Sequence, residues 1–213
     1  RPEYLINMDG ERIILNKSYR LSKLIHKKAN TLIKRVRDRV EKEWTSRDEM
    51  GEVNIHPVPQ LNKLKKGEWL ILGRDKYQLD ALEEDLINEG VYYERNDETS
   101  INKGIHESIL AWEDLRKGKS IDIKLVRKVY TYLKTEKGVA KEHKGMKNAD
   151  KEKLYTYDTL STQHGLLASK EEPWFKALEN IESDKKTYVR ACLRRKENIR
   201  RAPRIKLSTI HGS

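Results

Sequence analysis

The stretch Trp69-Leu70-Ile71-Leu72-Gly73-Arg74 decides the predicted fold, because an uninterrupted apolar run there ends at a glycine and a charge. Four consecutive apolar residues are typical of a strand buried on both faces, as the strands of parallel sheets are. A glycine followed by a polar residue marks the loop that leaves such a strand. We therefore predict a strand over residues 69–72, buried on both faces, in a parallel sheet.

A helix and a second strand are predicted directly after this loop. Asp75 can cap the helix, leucines recur along its inner face at helical spacing, and Gly90 can end it. The next strand begins at Val91-Tyr92-Tyr93. Because strands and helices alternate in this way in α/β proteins, the pattern predicts an α/β fold with a parallel sheet flanked by helices.

On the N-terminal side of this segment, the run Arg12-Ile13-Ile14-Leu15 has strand character. Apolar residues then recur at i, i+3, i+4 and i+7, which predicts a long amphipathic helix over about residues 22–44. A connector with glycine and prolines follows, and it includes a brief predicted strand at Val53-Asn54-Ile55.

On the C-terminal side, helical patterns replace strand patterns after residue 100. Four helices are predicted there, over residues 105–115, 125–133, 174–181 and 185–199. Residues 136–154 have few apolar side chains, so we expect a mobile loop. Strand character returns over residues 205–210, after Pro203. We therefore expect a mostly helical insertion that interrupts the α/β framework.

The charge of the chain is concentrated in one segment. Among 213 residues, 45 Lys and Arg oppose 34 Asp and Glu, which gives a formal net charge of +11. Residues 185–206 contain ten basic residues and one acid, so this segment alone carries +9. A basic segment on a near-neutral body indicates a site for an anionic partner, most often nucleic acid. The alternative is a solvated helix face that only keeps the protein soluble.

Several protein classes and site types are disfavoured by the sequence. No apolar run is long enough to span a bilayer and no leader opens the chain, so we expect a cytoplasmic protein without membrane contact. The single cysteine, Cys192, excludes an internal disulfide framework. The six histidines form no pair at helical metal-ligand spacing, so we expect no metal site. Neither a G-x-x-x-x-G-K-[ST] phosphate loop nor a G-x-S-x-G motif occurs.

Three stretches of the chain carry motif-like patterns in a fixed order. They are Leu15-Asn16-Lys17-Ser18-Tyr19-Arg20, then Trp69-Leu70-Ile71-Leu72-Gly73-Arg74 with Asn88-Glu89-Gly90-Val91-Tyr92-Tyr93, and finally Leu207-Ser208-Thr209-Ile210-His211-Gly212-Ser213. With a helical insertion between the second and the third, they resemble superfamily-1 DNA helicases of the UvrD/Rep/PcrA type. The first resembles that family's N-Y-R motif, and the third resembles the start of its T-x-H-x-x-K-G-L-E motif.

The resemblance implies a RecA-like second motor domain (2A) with an inserted 2B subdomain. Residues 1–100 would form the first part of 2A, residues 101–200 the helical insertion and residues 201–213 the return strand. The parent would be an ATP-dependent, nucleoid-associated helicase that translocates on single-stranded DNA and unwinds at single-strand/duplex junctions. ATP and Mg²⁺ would be held mainly by the N-terminal motor domain of the same chain. We expect residues 1–213 alone to be inactive, because they lack the family's phosphate loop.

The resemblance also implies roles for single residues. Tyr19 would stack on the adenine of ATP, and Arg20 would be an arginine finger that reaches the γ-phosphate. A guanidinium suits that role because it stays charged and binds phosphate oxygens as a planar fork. Arg74, Thr209 and His211 would contact the DNA backbone. The alternatives are a packed ring for Tyr19, ordinary surface charges for the two arginines and a strand-end pair for Thr209 and His211.

Charge adds four further candidate DNA contacts, all from the basic segment: Arg194, Arg195, Arg200 and Arg201. The aromatic residues at helical spacing, by contrast, are expected in the core rather than stacked on bases. These are Trp112, Tyr130, Tyr132 and Trp174. The alternative for the whole chain is a non-catalytic module that binds nucleic acid or docks a partner and keeps vestigial motor motifs.

Overall fold

The computed structural model describes residues 13, 15–37, 43–55, 64, 66–146 and 149–210. The chain divides into two compact units, Arg1–Gln60 and Leu61–Ser213. All the strands named below belong to the second unit. No helix in the described parts of the chain combines the length and the apolar character that a membrane span requires.

The first unit contains one described helix, α1, which spans Lys23–Ile33. An isolated parallel bridge joins Lys17 to Thr45 on the approach to this helix. At the start of α1, the backbone N–H of Lys23 donates to the carbonyl of Glu49 at 2.9 Å. None of the residues of α1 is buried.

Three predictions for this unit are wrong within the described residues. The helix predicted to reach residue 44 ends at Ile33, and residues 34–37 form a turn. Cationic side chains crowd that turn, and the exposed Val36 adds no burial that would extend the helix. Residues 53–55 are not a strand. Ile13 and Leu15 are exposed and lie outside any strand, while the rest of that predicted run lies outside the described residues.

The second unit is an α/β structure with a four-stranded mixed sheet flanked by helices. Its elements are β1 (Trp69–Gly73), α2 (Lys76–Asn88), β2 (Tyr93–Arg95), β3 (Glu98–Thr99), α3 (Lys103–Arg116), α4 (Ile123–Tyr132), a 3-10 turn (Lys141–His143), α5 (Tyr157–Gln163), α6 (Trp174–Ala177), α7 (Ser183–Arg194) and β4 (Ile205–Thr209). The strand order is β1-β4-β2-β3. β4 is parallel to both β1 and β2, and β3 is antiparallel to β2.

The predicted strand, helix and strand are confirmed at β1, α2 and β2. The side-chain oxygen of Gln78 accepts hydrogen bonds from the backbone N–H groups of Arg74 (3.0 Å) and Asp75 (3.4 Å), which satisfies donors at the start of α2. Gly90 ends the helix with φ +66°, a conformation that favours glycine. The inner face of α2 packs against β1 and β4 through three buried leucines, Leu79, Leu82 and Leu86.

The prediction that β1 is buried on both faces is wrong. Leu70 is 59% exposed and Leu72 is 47% exposed, whereas Gly73 is buried. β1 lies at the edge of the sheet, and only its other face packs on α2. A continuous apolar run therefore does not by itself guarantee a central position in a sheet.

Between β3 and β4 the second unit is mostly helical. The predicted helices are confirmed at α3, α4 and α7, although α7 ends at Arg194 rather than at residue 199. The predicted helix over 174–181 shortens to the single turn α6, and α5 was not predicted. α3 packs against α4 and α6.

The described part of residues 136–154 is divided: residues 138–146 contain buried positions, so the expectation of an open loop is wrong there, whereas residues 150–154 are exposed. Val139 and Met146 are buried in the core. Val139 also bridges to Thr135 and to Leu166.

Candidate nucleic-acid interface

The carboxyl ends of the parallel strands β1 and β4 lie side by side at one edge of the sheet. Gly73 pairs in register with Thr209, and the N–H of Ile210 donates to the carbonyl of Gly73 at 3.0 Å. Arg74 follows Gly73 directly. Two of the predicted DNA-contacting residues, Arg74 and Thr209, are therefore brought to the same edge, where α/β proteins bind ligands.

The polar groups of this edge are available to a ligand. Arg74 is exposed and Thr209 is half-buried. Within the described residues, neither the guanidinium of Arg74 nor the hydroxyl of Thr209 has a hydrogen-bond partner. Both groups can donate to phosphate oxygens. His211, the third predicted contact at this edge, lies outside the described residues.

Tyr19 and Arg20 belong to the first unit, where they form the turn that leads into α1. The hydroxyl of Ser18 accepts a hydrogen bond from the N–H of Leu21 at 3.2 Å, which fixes this turn. The ring of Tyr19 is 78% exposed, with the ammonium of Lys17 5.4 Å from its centroid, so it does not pack into a core. Arg20 is also exposed. The turn thus presents a ring and a guanidinium to solvent.

The basic segment 185–206 is partly neutralised by acids of the same unit. Five of its ten basic side chains form ion pairs, which are Lys185–Asp184 (3.8 Å), Arg195–Glu89 (2.9 Å), Arg200–Asp114 (2.8 Å), Arg204–Glu197 (2.8 Å) and Lys206–Glu94 (2.8 Å). Glu89, Glu94 and Asp114 lie far from the basic segment in sequence, so the sequence alone does not indicate that they pair with it. The net positive charge that this segment offers to a ligand is therefore smaller than +9.

These ion pairs divide the four predicted DNA-contacting arginines into two pairs. The guanidinium of Arg195 binds the carbonyl and the carboxylate of Glu89, and that of Arg200 binds both carboxylate oxygens of Asp114. Arg194 and Arg201 are exposed, and within the described chain their side chains have no ion-pair partner. The side chains of Arg194 and Arg201 are thus available to bind phosphates, whereas those of Arg195 and Arg200 form ion pairs within the second unit.

Two pKa shifts follow from this pairing. Burial alone would raise the pKa of the Asp114 carboxyl, but hydrogen bonds and charges from Arg200 and Lys119 lower it below its ordinary value. The hydrogen bond with Glu94 raises the pKa of the Lys206 ammonium above its ordinary value. Both shifts favour the charged form, of the Asp114 carboxylate in one pair and of the Lys206 ammonium in the other.

The predicted core aromatics offer little surface to bases. Trp112, Tyr130 and Trp174 are buried, as predicted, and Tyr132 is half-buried. The indole N–H of Trp112 donates to the carbonyl of Glu172 at 3.0 Å, which satisfies its polar atom inside the core. These rings hold the helical region together.

No protein-family model, curated protein or solved structure matches this chain. Among the described residues, no three His, Cys, Asp or Glu side chains lie together as ligands for a metal ion. In the second unit, the candidate interface consists of the edge with Arg74 and Thr209, and the unpaired arginines Arg194 and Arg201 are further candidate contacts. In the first unit, the exposed turn Tyr19-Arg20 is a separate candidate for ligand binding.

Proposed function

We propose that this chain supplies the second motor domain, with an inserted helical subdomain, of an ATP-driven helicase that moves along single-stranded DNA. The observation that carries the proposal is the sheet edge, where Arg74 and Thr209 lie side by side without protein partners in the described chain. The strand order supports it, because β4 follows a helical region in sequence yet lies between β1 and β2. That order is expected where an insertion interrupts a RecA-like sheet.

In this function, the sheet edge grips the DNA backbone. The guanidinium of Arg74 and the hydroxyl of Thr209 donate hydrogen bonds to phosphate oxygens, which carry no base information. Binding is therefore tolerant of sequence, as movement along DNA requires. Arg194 and Arg201 lie toward the amino ends of the strands, away from this edge, so their charge attracts DNA at long range rather than contacting it here.

The turn before α1 acts on ATP. An N-terminal motor domain holds the nucleotide and Mg²⁺, the ring of Tyr19 stacks on the adenine, and Arg20 reaches the γ-phosphate. Both side chains fit these roles because they are exposed and have no hydrogen-bond partner among the described residues. Closure of the cleft between the two motor domains then couples hydrolysis to a step along the strand.

Replacement of Arg20 tests the proposed role in ATP hydrolysis. The experiment uses a polypeptide in which residues 1–213 follow the N-terminal motor domain. Arg20→Ala should leave ATP affinity unchanged and reduce kcat by about 10³-fold or more, the scale of arginine-finger losses. The matched control Arg35→Ala, at an exposed arginine beyond α1, should keep full turnover. Normal turnover in Arg20→Ala combined with intact DNA binding would favour the non-catalytic alternative.

Anisotropy titrations of residues 1–213 with a labelled dT20 oligonucleotide test the DNA role. Arg74→Ala should weaken binding, and the slope of log K against log salt should flatten by roughly 0.7 per lost phosphate contact. The double variant R194A/R201A should flatten the slope as well, without loss of stability. The matched double variant R195A/R200A should mainly lower stability, because it breaks two ion pairs. Salt-independent binding, or equal slopes in all variants, would refute the proposal.

A further inference from the structure

An apolar groove of about 450 Å³ opens between three segments of the helical region. One wall is α3, the second is the stretch Pro173-Trp174-Phe175, and the third consists of Leu193 and residues 197–200. None of these residues belongs to the sheet edge or to the turn before α1. The groove has the volume of a typical binding site.

The groove is lined by apolar side chains from its base to its rim. Ile109, Trp174 and Ile199 are buried and form its base. Phe175 is half-buried at the rim, and Leu193 remains 40% exposed although it lines the cavity. The groove therefore has an apolar base and two partly exposed apolar side chains at its rim.

Hydrogen bonds fix the walls of the groove in the free protein. Glu113 on α3 accepts a hydrogen bond from the backbone N–H of Trp174 at 3.2 Å. Arg116 on the same helix donates to the carbonyl of Lys170 at 2.9 Å. On the other side, Arg200 binds Asp114 of α3. A ligand would therefore meet a preformed surface and lose little affinity to ordering it.

Among the residues that line the groove, the uncompensated charge is positive. Its two lining carboxylates, Glu113 and Glu197, are neutralised by Arg116 (2.9 Å) and Arg204 (2.8 Å). Lys117 also lines the groove, and within the described chain no carboxylate lies within ion-pair distance of its ammonium. The rim is thus complementary to an anionic ligand.

The rings at the groove are poorly placed to stack on nucleic-acid bases. Trp174 is buried, and the guanidinium of Arg190 lies over the ring of Phe175, 4.6 Å from its centroid. Base recognition requires an open aromatic face, which neither ring provides. The apolar base and the cationic rim instead match a helix with one apolar face and acidic flanks.

We propose that this groove binds an acidic amphipathic helix of a partner protein. Apolar side chains at positions i, i+3 and i+4 of that helix enter the groove between Leu193 and Phe175. Flanking carboxylates face Lys117 and Arg190. The site stands independently of the helicase function, because it shares no residue with the ATP-binding turn or the sheet edge.

A peptide titration on residues 1–213 tests this site. The probe is a fluorescein-labelled 16-residue helical peptide with leucine at i, i+3, i+4 and i+7 and mostly glutamate elsewhere. Leu193→Glu should weaken its binding by about 10-fold or more, because the new carboxylate enters an apolar contact and repels the peptide. The matched control Leu167→Glu replaces a leucine of similar exposure outside the groove and should bind as the original chain does.

Charge reversal gives a second, milder test. Lys117→Glu should weaken binding by about 5-fold. It should leave the protein folded, with only a small decrease in melting temperature, because Lys117 is exposed and forms no ion pair within the described chain but lies at the C-terminus of α3, where a carboxylate opposes the helix dipole. If Leu193→Glu fails to fold, the loss of peptide affinity in Lys117→Glu still tests the proposed binding site. The same peptide with lysine in place of glutamate should not bind detectably.

Four outcomes would overturn the proposal. They are no binding of the acidic peptide, equal binding by Leu193→Glu, preference for the lysine peptide, and displacement of the acidic peptide by dT20. The last would make the groove a nucleic-acid site. Arg74→Ala separates this proposal from the helicase function, since it should lose affinity for dT20 and keep full affinity for the peptide.

Discussion

The two compact units differ in how they bury apolar side chains. In residues 61–213, the helical region contains large side chains with no exposed surface, such as Trp112, Tyr130 and Leu133. In residues 1–60, α1 has no buried residue, and Leu32 on its apolar stripe is 51% exposed. An amphipathic pattern forms a helix in both units, yet among the described residues the buried core that such a pattern can join lies in the second unit.

The largest effect should come from separating the two units. Residues 61–213 should fold alone and unfold in one cooperative transition, because their core lies entirely within this segment. Residues 1–60 alone should show no cooperative transition. Thermal and urea unfolding followed by circular dichroism measure both outcomes. A cooperative transition in residues 1–60 would mean that the two units do not differ in this way.

A pair of core and surface truncations sharpens the same comparison. Trp112→Ala should lower the free energy of unfolding by about 3–5 kcal/mol, since it removes a fully buried ring. Leu32→Ala on α1 should cost less than about 1 kcal/mol, because that side chain is half exposed. Urea denaturation of the full chain gives both values. Similar costs at the two positions would contradict the difference in burial.

A smaller effect is expected from a single buried hydroxyl of the second unit. The hydroxyl of Tyr188 on α7 lies 2.6 Å from the carbonyl of Val91 and 2.7 Å from the hydroxyl of Ser100. Tyr188→Phe should cost about 1–2 kcal/mol, because it leaves buried polar groups without this partner. The control Tyr77→Phe, at an exposed ring, should leave stability unchanged. Urea denaturation again provides the measurement.

The smallest effect should appear as a pH dependence of the second unit. Burial, together with the nearby His143 and Lys153, lowers the pKa of His164 below its ordinary value of 6.5. Since the unfolded chain binds this proton more readily, stability is complete above the unfolded pKa and declines as the pH falls below it. Thermal unfolding of residues 61–213 at decreasing pH measures this decline. His164→Gln should make the decline shallower, and an unchanged pH profile would contradict the assignment.

The sequence was sufficient to predict the elements whose signals are local. The β1-α2-β2 succession was predictable because an apolar run, the polar residue Asp75 and Gly90 mark its boundaries within about two dozen residues. The location of Arg74 just beyond the carboxyl end of an apolar strand was predictable by the same logic, and β1 confirms it.

Features that depend on distant contacts could not be predicted. The apolar run of β1 does not reveal that it lies at a sheet edge, because the position of β4 decides this. Nor does the basic segment reveal that Arg195 and Arg200 are paired, because Glu89 and Asp114 are far away in sequence. The groove escaped prediction for the same reason, since it exists only where three separate segments meet.

Because β4 lies between β1 and β2 but follows them in sequence, the sheet can be completed only after residues 205–209 have been synthesised. A ribosome releases β1, β2 and every helix of the second unit before it releases residues 205–209. The helical region, whose contacts are local, can fold first. The position between β1 and β2 stays empty until β4 has been synthesised. A nascent chain that stalls before Ile205 therefore exposes two unpaired strand edges, and such edges invite pairing with neighbouring chains.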